Sequence, residues 1–179
     1  MPTPLRPAQT LLTEYAGYHR DRRNIQTHLV GVPMIVFGIG VLLSHPVVHV
    51  AGWALTPAWM LYAVTALWYL TRGEWALQVA VTGVMAVLIG AAQWLGHASA
   101  AWVGWGVGLF ALGWLIQFIG HYYEGRKPAF ADDLVGLLVG PMFVVLEWLA
   151  ALGACRALMQ RIEAEVGPTH LRDLTHSPG

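Results

Sequence analysis

The chain has 179 residues, of which 56% are hydrophobic and only 11% are charged, and its formal net charge is zero. A typical soluble domain carries about 25% charged residues, so this composition indicates a membrane protein. Zero net charge excludes bulk electrostatic attraction to nucleic acid, and a single cysteine excludes an internal disulfide. We expect one membrane-embedded domain over residues 1–153, followed by a short surface helix and flexible tail over residues 154–179.

Four stretches are apolar enough, and nearly long enough, to cross a hydrocarbon core that needs roughly 20 helical residues. They are residues 29–43, 57–70, 75–95 and 98–120. In the last of these, Gly104 and Gly108 are expected to pack against a neighbouring helix. A fifth stretch, 134–152, contains Pro141, which kinks a helix, and Glu147, which is costly at membrane depth. The predicted fold is an all-α membrane helical bundle with four spanning helices and a kinked fifth segment.

The positions of the charged residues predict how the bundle lies in the membrane. All ten Lys and Arg residues fall in the N-terminal segment, in turn 71–74, in loop 121–133 or in the C-terminal tail. Connections 44–56 and 96–100 hold no Asp, Glu, Lys or Arg. Four spans place every charged segment on one side, which the positive-inside rule assigns to the cytoplasm. We therefore expect both termini on the cytoplasmic side of the membrane, which in a bacterium is the inner membrane.

Three of the eight histidines lie at the cytoplasmic ends of apolar stretches, namely His19, His28 and His121. Neutral imidazole is the commonest protein ligand for metals. Glu124 lies three residues after His121, which places both on one face of a helix, and imidazole with carboxylate suits iron, zinc or manganese. The alternative is that these side chains bond to one another and cap helix ends. Spacing alone leaves both interpretations open.

His19 and His28 are nine residues apart, which is about 180° around an unbroken helix. They can face one site only if the chain bends between them. Asn24 is a good N-cap residue and is expected to begin the first span, which would supply that bend. Gly31 and Pro33 permit close helix packing and a local irregularity near the membrane surface.

Two motifs, taken together, resemble a known family. The first has the pattern Y-x3-H-x4-N-x3-H-x2-G-x-P and runs from Tyr15 to Pro33. The second contains QFIGH, Glu124 and KPA, and is followed by P-x-F and a glutamate at Glu147. The pair resembles the 2-hydroxy fatty acid dioxygenases of fatty acid α-oxidation, small membrane proteins of the eukaryotic endoplasmic reticulum and of bacteria.

The resemblance implies an all-helical membrane enzyme that uses Fe(II) and O2. Such an enzyme converts a 2-hydroxy fatty acid into the fatty acid one carbon shorter and releases CO2. The family's metal-binding histidines correspond to His19, His28 and His121, with Glu124 as a fourth ligand or as a partner of the ligands. Three further residues are expected to orient the ligands or to assist catalysis: Asn24, Gln117 and Tyr15.

The expected partners are a long-chain 2-hydroxy fatty acid, O2 and the lipid bilayer, with no nucleic acid. Glu147 is either a further ligand or the partner of an arginine on the same side of the membrane. Four basic residues beside the motifs are candidates for attracting the substrate carboxylate, although anchoring to anionic lipid head groups is the alternative for each: Arg22, Arg23, Arg126 and Lys127.

Two other classes of function are compatible with the same sequence features. One is a different metal-dependent membrane enzyme, such as a lipid hydrolase or hydroxylase. The other is a non-enzymatic transporter or assembly protein, which would place polar residues near the middle of the bilayer rather than at one interface.

Overall fold

The structure is a computed structural model that describes residues 6–127 and 135–174. Over these residues the chain forms seven helices and one hairpin of two short strands. In chain order the elements are α1 Ala8–Ala16, α2 Arg22–Leu42, β1 Val48–Val50, β2 Trp53–Leu55, α3 Pro57–Leu70, α4 Trp75–Ala98, α5 Trp102–Glu124, α6 Gly136–Ala151 and α7 Arg156–Val166.

Three of the described helices, α2, α4 and α5, are long and apolar enough to cross a membrane. Helices α6 and α7 pass the same test only as a pair that is bent by 115°, so the candidate spans number three or four. Helix α3 has 14 residues, which gives about 21 Å of helix against a hydrocarbon core of about 30 Å. The mostly helical fold confirms the expected all-α class. The number of candidate spans is three or four, whereas the sequence predicted four spans and a kinked fifth segment.

The sharpest bend in the fifth apolar segment follows α6. This helix continues through Pro141, where the sequence predicted the kink. The chain turns instead between Ala151 and Arg156, where Gly153 and Cys155 adopt positive φ angles of 91° and 53°. Left-handed backbone reverses the chain direction within a few residues, so α7 leaves α6 at a steep angle.

A two-stranded hairpin connects α2 to α3 and was not expected from the sequence. His49 pairs with Ala54 in an antiparallel register. The two turn residues, Ala51 and Gly52, have positive φ angles of 52° and 83°. Positive φ at both central residues is the type I′ geometry that matches the twist of the flanking strands, so this connection folds as a compact hairpin.

Helices α2 and α5 pack antiparallel through glycines spaced seven residues apart on each helix. A Cβ added at Gly31 would lie 2.9 Å from the carbonyl oxygen of Gly113, and one added at Gly38 would lie 2.9 Å from that of Gly106. The first contact is reciprocal, since a Cβ on Gly113 would meet the Gly31 oxygen at 2.9 Å. A seven-residue repeat keeps one face of each helix on its partner, and the missing side chains let the two backbones approach closely.

The same repeat continues one step further toward the start of α2. Gly120, seven residues after Gly113, lies directly against Asn24 and Thr27. The expected packing through Gly104 and Gly108 is wrong, because no described atom lies within 4 Å of a Cβ added at either position. The helix packs through the glycine between them, which points to the opposite face.

Helix α7 and the segment after it pack back onto the beginning of the chain. Leu158 and Ile162 are buried in the same apolar cluster as Leu11 and Leu12 of α1. Beyond α7, the backbone N–H of His170 donates to the carbonyl oxygen of Arg20 at 2.9 Å, and the N–H of Arg22 donates to that of His170 at 2.9 Å. The rest of the predicted tail, residues 175–179, lies outside the described residues.

Replacing Gly38 with alanine should destabilise the fold, because the new Cβ would lie 2.8 Å from the backbone nitrogen of Phe110. A backbone atom cannot rotate away, and overpacking of this kind costs roughly 1–3 kcal/mol. The matched control is Gly108→Ala, which adds the same methyl group where the structure leaves space. Thermal unfolding in lipid nanodiscs, followed by tryptophan fluorescence, should show a lower midpoint for Gly38→Ala alone. Equal midpoints for the two variants would contradict the close α2–α5 contact.

Candidate metal centre

The structure brings together three histidines that come from three different segments. His19 lies in the turn between α1 and α2, His28 in the second turn of α2, and His121 in the last turn of α5. One ring nitrogen of each lies within 4.8 Å of the other two, and all three side chains are buried. Within the described parts of the chain, this is the one group of histidine, cysteine and carboxylate side chains found to have such spacing.

The chain bends between His19 and His28, as their nine-residue separation requires. The N-cap of α2 is Asp21, whose carboxylate accepts a hydrogen bond from the backbone nitrogen of Arg23 at 2.8 Å. Asn24 therefore lies inside the helix, and the prediction that it is the N-cap is wrong. Burial raises the pKa of Asp21, but hydrogen bonds from Arg23 and Arg172 outweigh it and lower the pKa to about 2. The positive end of the helix dipole stabilises the ionised carboxylate of this cap.

Backbone carbonyl groups determine the tautomers of His19 and His28. The Nδ1 of His19 lies 2.7 Å from the carbonyl oxygen of Tyr15, and the Nδ1 of His28 lies 2.8 Å from that of Asn24. Because a carbonyl oxygen can only accept, each Nδ1 carries the hydrogen and donates it. Both Nε2 atoms are then acceptors, and they lie 3.0 Å apart.

Two facing lone pairs at this distance repel each other unless a cation lies between them. A metal ion bound by both Nε2 atoms removes the repulsion, and the Nδ1 hydrogen bonds to carbonyl groups are the usual way in which proteins orient metal-binding histidines. The donor set therefore fits a metal ion, with His121 as the third nitrogen ligand. Hydrogen bonding among the histidines alone, the alternative left open by the sequence, does not suit these tautomers.

Burial of the site keeps His19 in the neutral form that binds metals, and Tyr15 packs against it. Burial lowers the pKa of His19 well below its ordinary value, and the neighbouring His28 lowers it further. The ring of Tyr15 stacks on His19 with centroids 4.1 Å apart and planes 11° apart. Burial also raises the pKa of the Tyr15 hydroxyl, so the phenol stays protonated and can donate a hydrogen bond.

Glu124, expected as a fourth ligand or a partner of the ligands, lies outside the group of three histidines. Its carboxylate accepts hydrogen bonds from the backbone nitrogens of Arg20 at 3.0 Å and Asp21 at 2.9 Å, and from the side-chain amide of Asn24 at 3.0 Å. These contacts tie the end of α5 to the turn that carries His19. The structure thus gives Glu124 the contacts of a residue that positions a ligand.

An apolar cavity of about 250 Å³ lies beside the histidines. Its polar end is formed by His28, His121, Tyr15 and Gln117, and the other lining residues are apolar or glycine. The side-chain nitrogen of Gln117 is buried and has no hydrogen-bond partner within residues 6–127 and 135–174. An unpaired buried amide costs about 1–3 kcal/mol, so a polar group of a ligand in this cavity would relieve that cost.

The basic residues expected to attract a carboxylate do not line this cavity. Arg23 pairs with Asp21 at 2.7 Å, Arg126 donates to the carbonyl oxygen of Gly17 at 2.9 Å, and Arg22 and Lys127 are exposed. The contacts of Arg23 and Arg126 hold the turn before α2 and the end of α5 in place.

Sequence reasoning missed Arg20, which is the most deeply buried arginine of the same run. Its guanidinium donates to the carbonyl oxygens of Ala16, His19 and Gly167. Burial lowers the pKa of Arg20, and the charge of Glu147 acts against this and raises it. Among the described residues, Glu147 is not part of the histidine group, which disfavours it as a further ligand. The signal available in the sequence was the position of Arg20 directly after His19, but nothing in the sequence distinguished Arg20 from Arg22 and Arg23.

Comparisons with known proteins point to one family. Residues 5–152 match the family described as 2-hydroxy-palmitic acid dioxygenase Mpo1-like. The chain is 32% identical over 156 residues to the 2-hydroxy-palmitic acid dioxygenase MPO1 of Saccharomyces cerevisiae, and the match covers 85% of each protein. No solved structure matches the chain. The matched region includes all three histidines, Glu124 and every residue of the cavity beside them.

The histidine group should bind one divalent cation per chain after the protein has been stripped with a chelator and reloaded. His19→Ala, His28→Ala and His121→Ala should each lose this binding, because two nitrogen ligands hold a metal much more weakly than three. The chain offers a matched control in His45 and His97, whose ring centroids are 5.1 Å apart at the other end of the bundle. His45→Ala should retain full metal content by elemental analysis. Retention of the metal in His28→Ala would contradict the assignment.

Proposed function

The chain belongs to the Mpo1-like family of 2-hydroxy-palmitic acid dioxygenases, and from this membership and the histidine centre we propose that it is an Fe(II)-dependent dioxygenase of 2-hydroxy fatty acids. Its reaction consumes one substrate and one O2, and yields the fatty acid one carbon shorter, CO2 and water. These atoms and electrons balance without an external reductant. The observation that carries the proposal is the pair of Nε2 acceptors of His19 and His28, 3.0 Å apart, beside an apolar cavity.

We assign the metal to His19, His28 and His121. Iron bound there supplies the redox chemistry with O2 that no side chain offers. The carbonyl groups of Tyr15 and Asn24 orient the imidazoles of His19 and His28. A buried, preorganised set of ligands needs little rearrangement when the metal binds.

The cavity beside the histidines accounts for how this chain would hold the substrate. The carboxylate and 2-hydroxyl groups lie at the polar end, within reach of His28 and His121. Gln117 donates from its unpaired side-chain nitrogen to a substrate oxygen, and the protonated hydroxyl of Tyr15 is the second donor at that end. The apolar remainder of the cavity takes the first part of the acyl chain and excludes water.

Glu124 and Asn24 act as positioning residues in this proposal. The Asn24 amide donates to Glu124, and its backbone carbonyl accepts from His28. Glu124 in turn binds the two backbone nitrogens that follow His19. The pair therefore connects two ligands that are nine residues apart in the sequence.

We place residues 1–153 in the membrane as one catalytic domain, with α2, α3, α4 and α5 crossing and α6 as the fifth apolar segment. The arginines around the histidine centre then lie on the cytoplasmic side, and the hairpin between α2 and α3 lies opposite. In a bacterial cell this membrane is the inner membrane. A polar head at the interface and an alkyl chain in the bundle suit a fatty acid that arrives from the bilayer.

Protein purified without O2 and loaded with Fe(II) should convert 2-hydroxyhexadecanoic acid into pentadecanoic acid once O2 is admitted. Mass spectrometry would follow the product, and carboxyl-labelled substrate would show the release of CO2. The 3-hydroxy isomer is the control, because its hydroxyl group lies one carbon too far from the carboxylate. If iron-loaded protein yields no shorter acid, the proposed activity is wrong. Zinc-loaded protein should yield none, because Zn²⁺ does not change its oxidation state.

Glu124→Gln should weaken metal binding about 10–100-fold, as is typical when an outer partner of a metal ligand is changed. The amide keeps the shape but turns a donor toward the backbone N–H groups. Excess Fe(II) should restore turnover, since the three ligands are intact. The Co(II)-loaded variant should keep the absorption spectrum of Co(II)-loaded wild type, whereas a changed spectrum would identify Glu124 as a direct ligand.

A further inference from the structure

A second apolar cavity, of about 180 Å³, adjoins the cavity beside the histidines. Cavities that hold small ligands usually enclose roughly 300–1,000 Å³, so each is small by itself and the two together fall in this range. Four of the described residues line both cavities: Val36, Ile39, Leu137 and Pro141. The two spaces are therefore adjacent parts of one interior region of the bundle.

The two cavities follow one face of α2 from the metal centre toward the hairpin. The residues on this face are His28, Val32, Ile35, Val36, Ile39, Gly40 and, just after the helix, Leu43. Fifteen residues separate the first from the last, which is about 22 Å of helix rise. The acyl chains of one leaflet occupy about half of a 30 Å hydrocarbon core, so this track is long enough for an extended long-chain acyl tail.

The second cavity offers a ligand no free hydrogen bond donor from its three hydroxyl side chains. The hydroxyl of Thr65 donates to the carbonyl oxygen of Tyr62 at 3.0 Å, and that of Tyr69 donates to Leu138 at 2.8 Å. The hydroxyl of Tyr62 donates to the carbonyl oxygen of Thr82 at 3.3 Å. Because these groups are paired within the protein, the cavity favours an alkyl chain over a polar ligand.

We propose that the two cavities form one acyl channel, in which the alkyl chain of the 2-hydroxy acid runs from the histidines to an end between Leu43, Ala58 and Ile89. This inference rests on the proposed function for the position of the head group. Thr65 lines the second cavity from α3, about one and a half turns before the end of that helix. The size of the Thr65 side chain limits how far the acyl chain of the substrate can extend into the second cavity. Thr65 therefore determines chain-length specificity.

Thr65→Phe should shorten the acids that the protein accepts, because the phenyl ring fills the second cavity. Turnover of 2-hydroxyhexadecanoic acid should fall roughly tenfold or more, the scale at which misfitting hydrophobic groups are rejected, whereas 2-hydroxydecanoic acid should be unaffected. Ala63→Phe is the matched control, since Ala63 lies on the exposed face of the same helix. An equal loss for both acids, or an equal effect of both variants, would overturn the assignment.

A photolabelling experiment tests the channel without iron or turnover. Metal-free wild-type protein in nanodiscs would be mixed with 2-hydroxyhexadecanoic acid that carries a diazirine at its terminal carbon. After irradiation, mass spectrometry should find the label on Leu43, Ala58 or Ile89. Label on the outward-facing Val64 and Leu67 of α3, which are 68% and 67% exposed, would overturn the channel.

The two experiments separate the failure of the channel from that of the proposed function. Label at the channel end in a protein that never yields the shorter acid supports the acyl site and contradicts the reaction. Formation of the shorter acid with label only on Val64 and Leu67 supports the reaction and overturns the channel.

Discussion

The antiparallel contact of α2 with α5 is the constraint on which the rest of the structure depends. Glycines on both helices remove the side chains that would otherwise separate the backbones, and their seven-residue spacing allows one register. That register places Gly120 against the first turns of α2, and so brings His121 to His28. A helix pair in lipid gains little from the hydrophobic effect, so the shape of these glycine faces decides where the ligands of the candidate metal centre meet.

A second constraint comes from the backbone itself. Tyr15 precedes His19 by four residues, and Asn24 precedes His28 by four, and in each case the earlier carbonyl group accepts from the later imidazole. Two separate helical turns therefore orient two imidazoles in the same way. The side chains at these positions add different contributions, since the phenol ring stacks on one imidazole and the amide donates to Glu124. The spacing of the first motif thus has a direct physical explanation.

The sequence predicted the parts of this structure that depend on composition and on gross position. Long apolar stretches indicated α2, α4 and α5, and the distribution of charged residues placed His19, His28 and His121 at the same side of the membrane. The sequence alone could not decide between residues that suit the same role about equally well. Asp21 and Asn24 are both good caps, and only the hydrogen bonds to Arg23 and Arg172 decide between them. Packing through Gly106, between two other glycines, depends on helix rotation, and the contacts of Glu124 depend on a turn a hundred residues away.

The pairing of His170 with the backbone of residues 20–22 links the two ends of the chain in three dimensions. The last described segment runs beside the turn that supplies the first imidazole, and Arg172 donates its backbone N–H to the capping carboxylate of Asp21. A purification handle or fusion partner that pulls on the segment around Arg172 would therefore disturb the turn that carries His19, in the candidate metal centre. The tip of the hairpin at Ala51 and Gly52, at the other end of the bundle, is the position where such an attachment would leave the centre undisturbed.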